Sequence, residues 1–332
     1  MSEDRKAAIL RAVVQEYIES ANPVGSGRVA DRSGIDVSTA TIRNELVLLE
    51  EEGFLVQPHT SAGRIPTEKA YRFFVDGLPG PGQLEAADRE QVSAFFARSH
   101  SELELMLRDT STLLSDLTGS PAVVLAPDRD HQEVRSLQLV GLGPHLALLV
   151  IVMANGAVEK LALEFTDDVH ESTLAIATAH LSGAMIGRHM SDAPEPLRTG
   201  DPAVDHVFGA ALALLADRAA DLEEAFVGGA ARVADVFDDV GLVQQVLNVL
   251  ERQYLVVGLL RDVLDRGLSV VIGTETRVEP LNECSLVVAP YEIDGDQVGS
   301  IAVLGPTRMN YPQALATVAV VSRRLGDRLT SG

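Results

Sequence analysis

VSTATIRNELVLLEEEGFLVQPHTSAGRIPT, residues 37–67, joins an amphipathic helix to a basic loop punctuated by glycine. Ser38 is placed to cap the helix, because its hydroxyl can accept a hydrogen bond from an otherwise orphaned first-turn N–H. Ile42, Leu46 and Leu49 recur at helical spacing and define a buried face, and Gly53 closes the helix. Thr39, Arg43 and Asn44 then fall on the opposite side of the first turns. FLVQ (54–57) and RIPT (64–67) read as two short strands around the loop PHTSAG.

Working outward, RKAAILRAVVQEYIE (5–19) places Ile9, Val13, Tyr17 and Ile18 at helical spacing, and Asn22-Pro23 stops that helix. Ser26 can cap a second, short helix, GRVADRSG, ending at Gly34; a tight turn through Ile35 and Asp36 leads to Ser38. A further helix, TEKAYRFFVDGL, runs into the linker GLPGPG (77–82). Three helices with a tight turn before the third, followed by a hairpin, predict an N-terminal winged helix-turn-helix. Such a recognition helix reads base edges with its N-terminal residues. Arg43 suits a bidentate contact to guanine and Asn44 one to adenine. Thr39 and Thr41 offer hydroxyls, and the helix start at Ser38 offers backbone N–H groups to a phosphate. In the loop, His59, Thr60, Ser61 and Arg64 flank Ala62-Gly63. Small residues allow close backbone approach to DNA, and an arginine suits a narrow minor groove. Arg28 is the candidate for positioning on a phosphate, and Glu50-Glu51-Glu52 falls at the far end of the helix.

The charge balance limits where nucleic acid can bind. The chain of 332 residues carries a net charge of −21, which argues against non-specific coating of a phosphate backbone. Residues 1–78 hold 9 basic and 12 acidic groups, so almost all of the excess lies beyond them. That leaves nucleic acid open to the N-terminal segment and argues against it elsewhere. A charged start, MSEDRKAAIL, and apolar runs about half as long as a bilayer span predict no signal peptide and no membrane helix. The single cysteine, Cys284, fits a reducing cytoplasm.

Beyond the linker, residues 84–118 carry one helical stripe through Val92, Phe95, Phe96, Leu103, Met106, Leu113 and Leu117. AVVLAP, RSLQLVGL, LALLVIVMA and VEKLALEF are strand-like, with a hairpin turn at Asn155-Gly156. Residues 168–236 return to an alanine-rich helical pattern that includes VFGAALALLADRAADLEEAF, and a further helix spans roughly 241–266. LSVVIG and SLVVAP resume the strands, a hairpin turns at Asp294-Gly295, and a last helix begins near Pro312. Strands on both sides of a helical block predict an α+β domain carrying an insertion. The insertion's stripe of Leu174, Leu181, Met185, Leu212 and Leu215 is either internal core or a dimer face. A dimer face is the favoured expectation, because a helical excursion must bury its apolar side.

At this point PVGS (23–26), SxATIRNE (38–45), QPHTSAGRIPT (57–67), CSLVVAPY (284–291) and GSIAVLGPTRMNY (299–311) together resemble the heat-inducible transcription repressor family, HrcA. The likeness spans nearly the whole chain. It implies a homodimeric repressor of chaperone operons that binds double-stranded DNA at an inverted-repeat operator, with the chaperonin as modulator. It also implies a multidomain α+β architecture: a winged helix, a GAF-like α+β domain, and a mainly helical dimerisation domain inserted into the latter. The expected division is 1–78 for the DNA-binding domain and 79–118 for the linker and connecting helix. The GAF-like domain takes 119–167 and 237–332, and the inserted domain takes 168–236. One departure stands out: where many relatives have a lysine after PVGS, this chain has Gly27, with Arg28 next.

Other chemistry finds little footing. Cys284 has no histidine near it in sequence and reads as a half-buried structural residue, not as a nucleophile. The histidines, among them His131, His145, His170 and His180, lack metal-ligand spacing, and Asp128, Asp130, Asp167 and Asp168 lie in polar loops. No catalytic residue, cofactor or metal is therefore assigned, and the chain is expected not to be an enzyme. Arg308 in GPTRMNY reads as a structural arginine, at a helix end or between domains. The alternative function is a regulator gated by a small molecule bound in the GAF-like domain.

Overall fold

The structure is a computed structural model that describes residues 2–33, 37–59, 62–98, 102–127, 133–154, 156, 158–189, 198–220, 225–237, 239–264 and 267–331. The N-terminal unit comprises α1 (Ser2–Ser20), α2 (Ser26–Ser33), α3 (Thr39–Glu51), the strands β1 (Leu55–Val56) and β2 (Ile65–Pro66), and α4 (Glu68–Asp76). Its core is the stripe that helical spacing predicts: Ile9 and Val13 from α1 meet Ile42, Leu46 and Leu49 from α3, all buried. The expected turn at Gly34, Ile35 and Asp36 lies outside the described residues.

The body is a five-stranded antiparallel sheet in the order β7-β3-β10-β9-β8. Its strands are β3 (Ala122–Leu125), β7 (Ala225–Gly228), β8 (Ser269–Ile272), β9 (Cys284–Ile293) and β10 (Asp296–Pro306). The long β9–β10 hairpin turns at Asp294-Gly295, where φ is +54° and +94°. Two consecutive left-handed residues are what a two-residue turn needs to match strand twist, and Asp-Gly supplies them cheaply. One face of the sheet packs on α6 (Leu103–Thr118) and α12 (Tyr311–Ser331), the other on α10 (Val240–Glu251) and α11 (Gln253–Leu264). Both faces are therefore filled with apolar side chains. Between β7 and α10 the chain makes a short helix, α9 (Val233–Val236).

A second sheet stands apart. β4 (Val134–Gly143), β5 (Leu146–Met153) and β6 (Val158–Glu164) form a three-stranded meander, and α7 (Glu171–Met185) and α8 (Pro202–Ala220) cover one side of it. Strand pairing departs here from the boundaries expected from periodicity. Periodicity groups residues 134–164 with the strand at 122–125, but β4–β6 form a separate sheet from the one that holds β3. Ala225-Phe226, expected at the end of a helix, are strand, because β3 pairs them through Val124↔Phe226 and Leu125↔Ala225. Local pattern cannot report a partner a hundred residues away. The apolar stripe of the insertion is likewise satisfied within the chain: Leu174, Leu181, Met185, Leu212 and Leu215 are all buried against the meander. The meander supplies the cover that a dimer partner was expected to give.

Two expected single helices are each two. The stripe over 84–118 divides into α5 (Ala86–Arg98) and α6, and the helix near 241–266 breaks at Arg252, whose ψ is +77°.

The N-terminal unit is bolted to the body through α4. Arg72 donates to Val270 O at 2.8 Å and to Glu275 Oε1 at 2.9 Å, while Glu68 Oε2 accepts from Thr274 Oγ1 at 2.7 Å. Glu275 is held in turn by Ile272 N at 2.9 Å. Gly273, at φ +54°, lies so close to Glu68 that a Cβ there would be 2.3 Å from its Oε1. Behind this polar seam the rings of Tyr71 and Tyr311 meet at 6.1 Å, and Tyr311 Oη is 2.8 Å from Ser285 Oγ. Burial pushes both phenols well above their ordinary pKa.

Candidate nucleic-acid interface

Ser38 sits in extended conformation (φ −66°, ψ 151°), and its Oγ accepts from Thr41 N at 3.2 Å, so it caps α3. The same oxygen lies 2.9 Å from Thr41 Oγ1, which ties the Thr41 hydroxyl locally. Ile42, Glu45, Leu46 and Leu49 turn inward; Thr39, Arg43 and Asn44 are exposed together on the outer side. Glu45 is a polar residue at a core position. It is held there by Arg5, whose Nε donates to Glu45 Oε1 at 3.1 Å.

The basic groups of this unit are largely engaged, all but one pair within the unit itself. Arg5 pairs with Glu45, Lys6 with Glu52, Arg28 with Glu16, Arg32 with Glu16 and Glu19, Arg64 with Glu50, and Arg72 with Asp76 and Glu275. Lys69 donates to Glu52 O at 2.8 Å and lies over the Phe54 ring; Arg11 lies over Phe73. Among the described residues, Arg43 is the one basic group of this segment that makes no ion pair, hydrogen bond or ring contact with another described residue. Its guanidinium is uncommitted and faces solvent. Arg28, although paired with Glu16 at 3.0 Å, keeps 56% of its side chain exposed.

The loop between β1 and β2 differs from its expected use. Arg64 does not reach outward: its side chain is 14% exposed and its Nη2 is 2.8 Å from Glu50 Oε2. The cause is a backbone bridge, in which Val24 N donates to Arg64 O at 2.9 Å and Arg64 N to Val24 O at 2.8 Å. That bridge turns the arginine toward the end of α3, where the acidic run waits. Gly63 has an intramolecular reason as well. A Cβ there would lie 2.5 Å from the Val24 carbonyl carbon, so the residue is small in order to cross Pro23-Val24. Gln57 Nε2 secures the loop by donating to Ala62 O at 2.9 Å. His59 is exposed; Thr60 and Ser61 lie outside the described residues. The PVGS and QPHTSAGR stretches, distant in sequence, are thus two halves of one contact.

Residues not singled out from sequence share the outer side of α3: Ala40, Val47 and Leu48 are exposed there, Val47 at 40% and Leu48 at 46%. Plotting the helix at about 100° per residue is enough to find them.

The other candidates are structural. Cys284 is fully buried, not half-buried, and burial pushes its thiol up to about 12, which removes the thiolate a nucleophile needs. Arg308 follows β10 and lines a small cleft with Thr118, Gly119, Met309 and Gln313. His145 Nε2 meets Asp168 Oδ1 at 3.3 Å on an exposed loop, and His170 precedes α7. Asp128, Asp130, His131 and Asn155 lie outside the described residues. No helix among the described residues is long and apolar enough to cross a membrane.

Comparison with known proteins covers the whole chain. A crystal structure described only as that of a hypothetical protein superposes with a TM-score of 0.66 at 21% identity, covering 99% of this chain and 98% of its own. At that identity the match speaks for the fold alone. The heat-inducible transcription repressor HrcA of Nocardia farcinica is 37% identical, covering 99% of this chain and 97% of its own length. The repressor of the same name from Rhodococcus jostii is also 37% identical, with coverage of 99% and 98%. Residues 104–315 match the family model of the HrcA protein C-terminal domain, and with near full-length relatives of that name the chain belongs to the HrcA family.

Proposed function

We propose that the chain represses transcription of heat-shock genes, with α1–α3 and the β1–β2 hairpin acting as a winged helix-turn-helix reader of double-stranded DNA. The observation that carries this reading is Arg43: an unspent guanidinium beside Asn44 near the capped N-terminus of α3, in a unit whose other described basic groups are engaged. That pair offers the donor and acceptor sets that suit guanine and adenine in the major groove. Thr39 and the N–H groups at Ser38 would meet phosphates or base edges, Arg28 a phosphate, and His59, Thr60 and Ser61 the neighbouring backbone. Arg64 positions the loop.

The body is the GAF-like domain in this reading, and the meander with α7 and α8 is the inserted dimerisation unit. The outer side of the meander supports a homodimer. Val140, Leu142 and Val158 are exposed there, Leu142 at 59%, beside half-buried Leu148, Val150 and Val152. A twofold pair presents two readers to an inverted-repeat operator. The chaperonin is the proposed modulator, the role is non-enzymatic and the site of action cytoplasmic. Footprinting of the purified chain upstream of its own operon, with and without chaperonin, tests the reading. Protection of two symmetric half-sites is expected, and random or absent protection overturns it. The small-molecule alternative finds no support in the five-stranded sheet, whose two faces are packed with apolar side chains. A metabolite that raises the melting temperature would revive it.

A further inference from the structure

We infer that Val47 is a specificity residue that reads a thymine methyl group in the operator; the inference rests on α3 being the DNA-reading helix. At about 100° per residue, Ala40 and Val47 point within about 20° of one another, near the middle of the exposed arc that runs from Thr39 through Arg43 and Asn44 to Leu48. Arg43 flanks Val47 on one side and Asn44 on the other. When a helix lies in the major groove, the centre of its exposed face approaches the base edges most closely. In α3 that centre is apolar and its flanks are polar.

Valine has no other evident work at this position. It is 40% exposed, so it is not core, and its branched Cβ makes it a poorer helix former than alanine. The one apolar feature on the major-groove edge of B-DNA is the C5-methyl of thymine. Val47 lies one turn, roughly 6 Å, beyond Arg43, which spans about two base-pair steps. The thymine therefore belongs within about two positions of the base that Arg43 contacts. Glu51, exposed one turn further on, ends the reading face, because its carboxylate would be repelled by phosphates. Leu48 is equally exposed but sits off the centre, beyond Asn44 and on the side of Thr41.

The test replaces each thymine in the footprinted duplex, one symmetric pair at a time, with deoxyuridine, which removes only the methyl. Binding is titrated with the wild-type chain and with Val47→Ala, Leu48→Ala and Arg43→Ala. One thymine pair is expected to matter to the wild type by about fourfold per half-site, the worth of one buried methyl group. Val47→Ala should bind the thymine and deoxyuridine duplexes alike, while Leu48→Ala keeps the discrimination. Alanine at an exposed helical position keeps the fold, and an unchanged melting temperature checks this. The inference is overturned if no deoxyuridine duplex weakens the wild type. It is also overturned if the penalty survives in Val47→Ala or vanishes in Leu48→Ala instead. Arg43→Ala separates the two levels: if it loses affinity while the deoxyuridine series is flat, α3 still reads DNA and only the role of Val47 falls. If neither responds, both fall.

Discussion

Arg43 and Arg64 belong to one short stretch of chain and carry the same charge, yet the fold gives them opposite fates. Arg43 stands on the outer side of α3 with no partner among the described residues, whereas Arg64 is folded back onto Glu50 and is 14% exposed. The difference lies in the backbone that carries each. A helix projects its side chains by position alone, so Arg43 faces out once Ile42 and Leu46 face in. The hairpin is held by a partner elsewhere, the bridge between Val24 and Arg64, and its side chains point where that bridge sends them. An exposed arginine in a motif is therefore a stronger candidate for contact with DNA when a helix presents it than when a loop does.

This contrast can be broken most severely at Gly63. Gly63→Ala should cost about 3 kcal/mol of stability, since the new Cβ meets the Val24 backbone and the loop must lift. Urea denaturation should show a lower midpoint, and an unchanged midpoint would mean that the crossing at Pro23-Val24 is slack. Arg43→Ala should leave the melting temperature unmoved but cost about 2 kcal/mol of operator affinity and relax discrimination at one base position. Equal binding across all single-base operator variants by wild type and variant alike would remove the helix from the reading role. Arg64→Ala should do the reverse, lowering stability by about 1.5 kcal/mol while weakening operator binding only slightly and uniformly. A double-mutant cycle with Glu50→Gln should recover the coupling between the two; additivity would separate the loop from the helix. Ser38→Ala sharpens the helix side by the smallest step, about 1 kcal/mol from the lost cap, read by thermal unfolding.

Most of the N-terminal unit was legible in the residues themselves. Helical spacing marked Ile9, Val13, Ile42 and Leu46 as core, Ser38 announced the start of α3, and Asp294-Gly295 announced a hairpin. Each is a local signal that needs no distant partner. The inserted unit was read less well for the opposite reason. β4–β6 look like any other apolar strands, and nothing within them says that they avoid β3. Nothing in Ala225-Phe226 says that β3 will claim them either. Periodicity tells which side of an element is apolar but not what covers it, so Leu174 and Leu181 read as a dimer face although the meander buries them.

By itself the sequence settled the family, through long stretches such as QPHTSAGR and GPTRMNY, and the outward placement of Thr39, Arg43 and Asn44. Those properties follow from residue identity and from a helical repeat of 3.6, both local. Tertiary structure alone decided that Arg64 turns inward and that Gly63 is needed for a chain crossing. It also decided that α4 is tied to the body by Arg72 and Glu275. Each of those depends on two segments meeting after the chain has folded, and no single segment carries the position of its partner.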